Sequence, residues 1–190
     1  MRFDLVAALL LSVSPAPAVV ERILAVVDGR PVLLSEVTLF EKVRGEGEGA
    51  ALEGLIDEQL MYREASRLPQ AALTATEEQR AVESLEARRP PASPDEEEQL
   101  RRLARRQAAI LKYVDFRFRP QVRVSEEAVR QAYEAGARSN GTPFAQAAPA
   151  LRGRLAEEDL SRRIEDWVKE LRQAAVIRYN VAPAPPGGGA

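Results

Sequence analysis

The stretch that decides the fold is Arg22-Ile23-Leu24-Ala25-Val26-Val27-Asp28-Gly29-Arg30-Pro31-Val32-Leu33-Leu34. Arg22 to Val27 is apolar and rich in strand formers. Asp28-Gly29 is the two-residue signal for a type I′ hairpin turn. Pro31 to Leu34 returns as a second short strand, with Pro31 tolerated at a strand start or on a sheet edge. Far along the chain, Val176-Ile177-Arg178-Tyr179 forms one more short strand candidate. A hairpin alone is marginal in water and a third strand supports it. The late strand is therefore expected to return to the hairpin, so that the two ends close one mostly α-helical domain between them.

Between these strands the pattern is helical. Ser35 is expected to cap a first helix running to about Val43, and Gly45 to Gly49 to form a flexible break. A second helix covers about Ala50 to Leu68, with Leu52, Leu55, Ile56, Gln59, Leu60 and Arg63 on one face. Thr74 or Thr76 caps a third helix to about Arg89. Pro90 to Pro94 breaks the chain, and Asp95 to Glu98 opens a long helix to about Phe118 with acids at its positive end. Its stripe reads Leu100, Leu103, Gln107, Leu111, Val114 and Phe118. Ser125 caps a fifth helix with Val129, Ala132 and Tyr133 inward. The pattern from Phe144 is weakened by Pro149 and Gly153, and becomes a clean amphipathic helix only from about Ala156 to Ala175. Trp167 lies on its apolar stripe, so core packing is expected of it.

At the N-terminus, Arg2, an apolar run from Leu5 to Val13 and the small residues to Ala18 read as a cleavable signal peptide over residues 1–18, with cleavage near Ala18. Residues 19–180 then form the helical domain, and 181–190 a disordered Pro/Gly tail. The chain contains no cysteine, which excludes a disulfide scaffold and a lipid-anchored cysteine. A location in the periplasm is expected. No second apolar run is long enough to cross a membrane. A net charge of −2 provides no field for nucleic acid.

Histidine is absent as well as cysteine, so imidazole bases, thiolate nucleophiles and zinc sites of N/S ligands are all excluded. The carboxylate groups Asp57/Glu58, Asp95 to Glu98 and Glu157 to Asp159 are expected on helix starts or solvated faces. The basic cluster Arg101, Arg102, Arg105, Arg106, Lys112, Arg117, Arg119 and Arg123 reads as the wet face of the long helix, paired with acidic helices nearby or with acidic stretches of a client. No catalytic residue, cofactor or metal is expected. Phe40, Met61, Tyr62 and Phe116 fall off or beside their main stripes. Any of them left exposed would form an adaptable apolar binding surface.

Four segments in order resemble a known family. VERILAVVDGRPVLLSEV (Val20 to Val37) resembles the opening hairpin and helix of SurA-type periplasmic chaperones. LEGLIDEQLMYREASRL (Leu52 to Leu68) resembles that family's next helix. FRFRPQVRVSEEAVRQAYEA (Phe116 to Ala135) and IEDWVKELRQAAVIRY (Ile164 to Tyr179) are similar to its later helix and its closing helix and strand. The region from Leu73 to Pro94 matches least. The family usually inserts parvulin-type isomerase domains between the Tyr-bearing and Trp-bearing helices. Here the span from Glu134 to Asp166 holds 33 residues, fewer than the ~50 of a typical domain, and the histidines of parvulin sites are absent. The resemblance thus implies a SurA N-terminal or trigger-factor-like helical peptide-binding domain without isomerase activity. It implies an ATP-independent holdase for unfolded, nascent or outer-membrane-bound envelope proteins. The alternative is a non-enzymatic envelope adaptor that docks one folded partner.

Overall fold

A computed structural model describes residues 21–136 and 141–180. The signal peptide expected over 1–18 and the tail expected over 181–190 lie outside these residues. The described chain is mostly helical, with a small antiparallel sheet. Strand β1 (Ile23–Val27) and strand β2 (Arg30–Leu33) form the hairpin. Asp28 and Gly29 take φ values of 48° and 80°. These are the positive dihedrals that a type I′ turn demands, which Asp tolerates and Gly adopts without strain. Strand β3 (Ile177–Tyr179) returns to pair antiparallel with β1, giving the order β2-β1-β3. The expected closure of the two chain ends is thus present.

Helix α1 (Leu34–Arg44) follows the hairpin directly. Ser35 is not its cap, contrary to the sequence reading. Leu33 holds the cap position, its amide donates to the Glu36 carboxylate (3.2 Å), and the Ser35 hydroxyl donates to Glu21 (2.7 Å). Strand and helix share one continuous turn here, so the cap shifts back by two residues. The break after α1 is also shorter than expected. Gly45 closes the helix at φ 71°, and helix α2 (Glu48–Ala65) already starts at Glu48.

Thr74 caps helix α3 (Ala75–Arg88) through a reciprocal bond with Glu77, and Ser93 caps helix α4 (Pro94–Arg117). Ser125 caps helix α5 (Glu126–Ala135). Helix α6 runs unbroken over Phe144–Ala174 with Pro149 inside it. The expected weakening is offset by burial. Ala148 and Leu151 pack with Val129 of α5 in a small second core, and Tyr133 meets Phe144 edge-on at 5.3 Å.

The main core gathers β1, β2 and helices α1 to α4 around α2, with the C-terminal half of α6 laid across it. Ile110, not Leu111, takes the inward position on α4, and Leu111 is 65% exposed. The step from Gln107 to the next core contact is three residues rather than four, and both spacings fit a helical stripe. Trp167 is buried as expected. It stacks on Tyr113 at 4.9 Å and leans on Phe118 at 5.3 Å.

Candidate functional site: an apolar groove with charged walls

Helices α1, α2, α4 and α6 leave between them an open groove of about 450 Å³. That volume lies within the range of binding pockets. Phe40 of α1, Met61 of α2, Ile110 and Leu111 of α4 and Val168 of α6 supply its apolar surface. Arg44, Asp57, Arg88 and Gln107 add polar groups. The helices meet at this point because α2 carries apolar residues on several faces and its neighbours wrap around it.

Phe40 and Met61 are the two sequence candidates that the fold brings together. Phe40, however, is not an exposed side chain. It is buried, and its ring lies against Gly54. A Cβ at position 54 would come within 2.8 Å of the ring, so Gly54 is what lets α1 and α2 approach here. Tyr62 points to another hollow, lined with Leu68, Ala71 and Arg105. Phe116 stands apart at 53% exposure and lines neither space.

Leu111 and Val168 are not among the surface candidates that the sequence offers, because both fall on the apolar stripes of their helices. Leu111 was assigned to the core stripe, so its exposure was hidden by the ambiguity between a three-residue and a four-residue step. Val168 adjoins Trp167 on α6, and only the crossing of α6 over α2 brings it to the groove.

Glu58 corrects a second expectation. It was placed on a solvated face and is instead 4% exposed at the groove floor. Arg106 Nε donates to its Oε1 (2.7 Å) and Gln107 Nε2 to its Oε2 (3.2 Å). Arg106 also approaches Glu36 at 3.8 Å, so one guanidinium ties α4 to both α1 and α2. Burial pushes the Glu58 carboxyl up, and the charge and hydrogen bonds of Arg106 oppose that shift. A signal was present in the sequence. Ala51, Leu55, Glu58, Tyr62 and Ala65 recur at helical spacing, so Glu58 lies on a buried stripe. Asp57 is likewise drawn in, pushed up by burial and paired with Arg172 of α6. Arg172 also reaches Glu53 at 2.8 Å, and the Tyr179 hydroxyl donates to Glu53 at 3.1 Å. These groups fasten α6 and β3 to α2.

The basic cluster of α4 is largely consumed within the chain. Arg101 pairs with Glu97, Arg102 with Glu98, Arg105 with Glu78, Lys112 with Glu77, and Arg119 with Asp115 and Glu157. Glu77 and Glu78 of α3 and Glu157 of α6 face it as expected, and the remaining partners lie on α4 itself. Among the described residues, no helix is long and apolar enough to cross a membrane, and no group of acidic side chains is placed to hold a metal ion.

No protein-family model matches the chain, and no curated protein matches it.

Proposed function

We propose that this chain is an ATP-independent holdase-type chaperone of the periplasm that binds unfolded or outer-membrane-bound polypeptides. The observation that carries the reading is the open groove of Phe40, Met61, Ile110, Leu111 and Val168. Its outermost member, Leu111, is a large apolar side chain exposed to solvent. Such a surface offers weak, adaptable contacts to apolar segments of many sequences, and Met61 and Leu111 can repack around each. The four ordered segments similar to SurA-type chaperones support the same reading, as does a mostly helical fold closed by a hairpin and a returning strand. The SurA N-terminal or trigger-factor-like character of that fold belongs to this proposal. Holding the unfolded state opposes aggregation by mass action and keeps strand edges apart.

The test is light scattering from two unrelated unfolded proteins. Suppression of both at near-stoichiometric chain, without ATP, is expected. The alternative is an adaptor docking one folded partner, and it takes over if several-fold excess leaves both aggregation curves unchanged.

A further inference from the structure

The small sheet has two edges, and they differ. In the β1–β2 ladder Val26 lies opposite Pro31, between the pairs Ala25–Val32 and Val27–Arg30. Val26 pairs on its other side with Arg178 of β3. Main-chain groups alternate in direction along a strand. Pro31 therefore faces out from β2 at the position where a donor would stand, and it has none. That edge is blunted.

Among the described residues, no strand pairs with the outer edge of β3. The amide of Asp28 donates to the Val176 carbonyl (2.9 Å), the amide of Asn180 to the Leu24 carbonyl (2.9 Å), and the amide of Val176 to the Asp28 carboxylate (2.8 Å). Val176, Arg178 and Asn180 thus turn their main chain toward β1. Ile177 and Tyr179 turn theirs away from the sheet. Among the described residues, five large apolar side chains are left exposed, and Ile23, Val176 and Tyr179, three of these, belong to or border this sheet. Arg178 stands on the same strand, and no described carboxylate pairs with it.

We propose that the outer edge of β3 receives an extended segment of a client polypeptide as a fourth strand. The segment carries apolar residues with an acidic one placed opposite Arg178. Main-chain bonds to Ile177 and Tyr179 would supply sequence-tolerant affinity, and the acid would set register. Charge decides between this occupant and a second copy of the chain. An antiparallel pairing of two β3 strands that uses both outward residues sets Arg178 directly against its own copy, and like charges opposite one another oppose pairing. The inference rests on the proposal that the chain holds unfolded polypeptides, and it adds a second locus, distinct from the groove.

The experiment titrates the full chain with a ten-residue peptide of alternating apolar and polar residues bearing a central Glu. Amide shifts and hydrogen exchange are followed by NMR. Two control peptides carry a central Lys, or alternate N-methyl groups that block main-chain pairing. New protection of the Ile177 and Tyr179 amides by the Glu peptide is expected, with binding weakened about tenfold by either control. The variant Arg178→Glu should reverse the preference between the Glu and Lys peptides. Its side chain faces solvent, so the fold should be unaffected. Protection of both amides in the free chain, or a dimer in sedimentation that Arg178→Glu strengthens or abolishes, would show the edge already taken and overturn the proposal. Shifts confined to the groove would overturn it too. In that last case aggregation assays on the same chain decide separately whether the holdase reading stands.

Discussion

Glu58 is the residue that most constrains the account, because it places a carboxylate under an apolar groove. A buried ion pair contributes little net stability, yet removing one partner is costly because the other charge is left behind. Glu58→Ala should cost about 3 kcal/mol in chemical denaturation, whereas replacing Glu58 and Arg106 together by Met should cost much less. Burial raises the Glu58 carboxyl, so the folded chain holds this proton more tightly than the unfolded one. Its contribution to stability is then greatest below the unfolded value and is lost as pH rises through the raised one. Compared with Glu58→Gln, the wild type should therefore lose relative stability as pH rises above the unfolded value of 4.5. A difference in melting temperature that does not change with pH would contradict this. Trp167 makes a simpler case. Buried at 9% exposure against Tyr113 and Phe118, it should cost roughly 3–5 kcal/mol when changed to Ala. Its fluorescence should be that of a shielded indole.

At the scale of elements, the sheet is the joint that closes the molecule. Asp28 serves it through its turn conformation and through its carboxylate as well as its amide. It takes the left-handed turn conformation, its carboxylate accepts from the Val176 amide, and it pairs with Arg63 of α2. Deleting residues 176–190 removes β3 and the Tyr179–Glu53 bond, and should lower the melting temperature markedly. Deleting 182–190 leaves every described contact in place and should change it little. Equal melting temperatures would rule out a structural role for the returning strand. The start of α3 gives a pH test. Hydrogen bonds from Lys112, then from Thr74, hold the Glu77 carboxyl down at about 2. A depressed value contributes stability that is present above the unfolded value of 4.5 and lost as pH falls toward 2. The acid side of the stability curve should flatten in Glu77→Gln across that window.

These elements also show what the sequence made legible. The hairpin, the returning strand, a threonine cap on α3 (Thr74 or Thr76) and the long α4 were all readable, because each rests on local sequence: a turn dipeptide, a cap residue before acids, a stripe or a run of strand formers. The misses have tertiary causes. Pro149 is held in α6 by the second core around Val129, which no local rule anticipates. Phe40 was read as off-stripe and is buried because α2 offers Gly54 to its ring. Leu111 and Val168 form the groove only through the crossing of separate helices. Glu58 lay on a buried spacing, but its partner Arg106 is 48 residues away.

For the whole molecule, the arrangement is a firm core with two soft surfaces. The core centres on α2, and ion pairs such as Arg172–Asp57 and Lys112–Glu77 fix the outer helices to it. Leu111 in the groove and Val176 and Tyr179 at β3 are among the large apolar side chains that remain in contact with water. That division suits a protein that holds other chains without itself unfolding. Affinity for any one client should be weak, because a held segment loses chain entropy. The central claim is that the groove carries client binding. It is tested most directly by titrating a permanently unfolded polypeptide into wild type, Met61→Ser and Leu111→Ser, with the melting temperature of each recorded alongside. The expected result is weak binding to wild type, several-fold weaker binding to both variants, and near-native melting of Leu111→Ser. Unchanged binding in both variants, or no binding to wild type, would contradict the account.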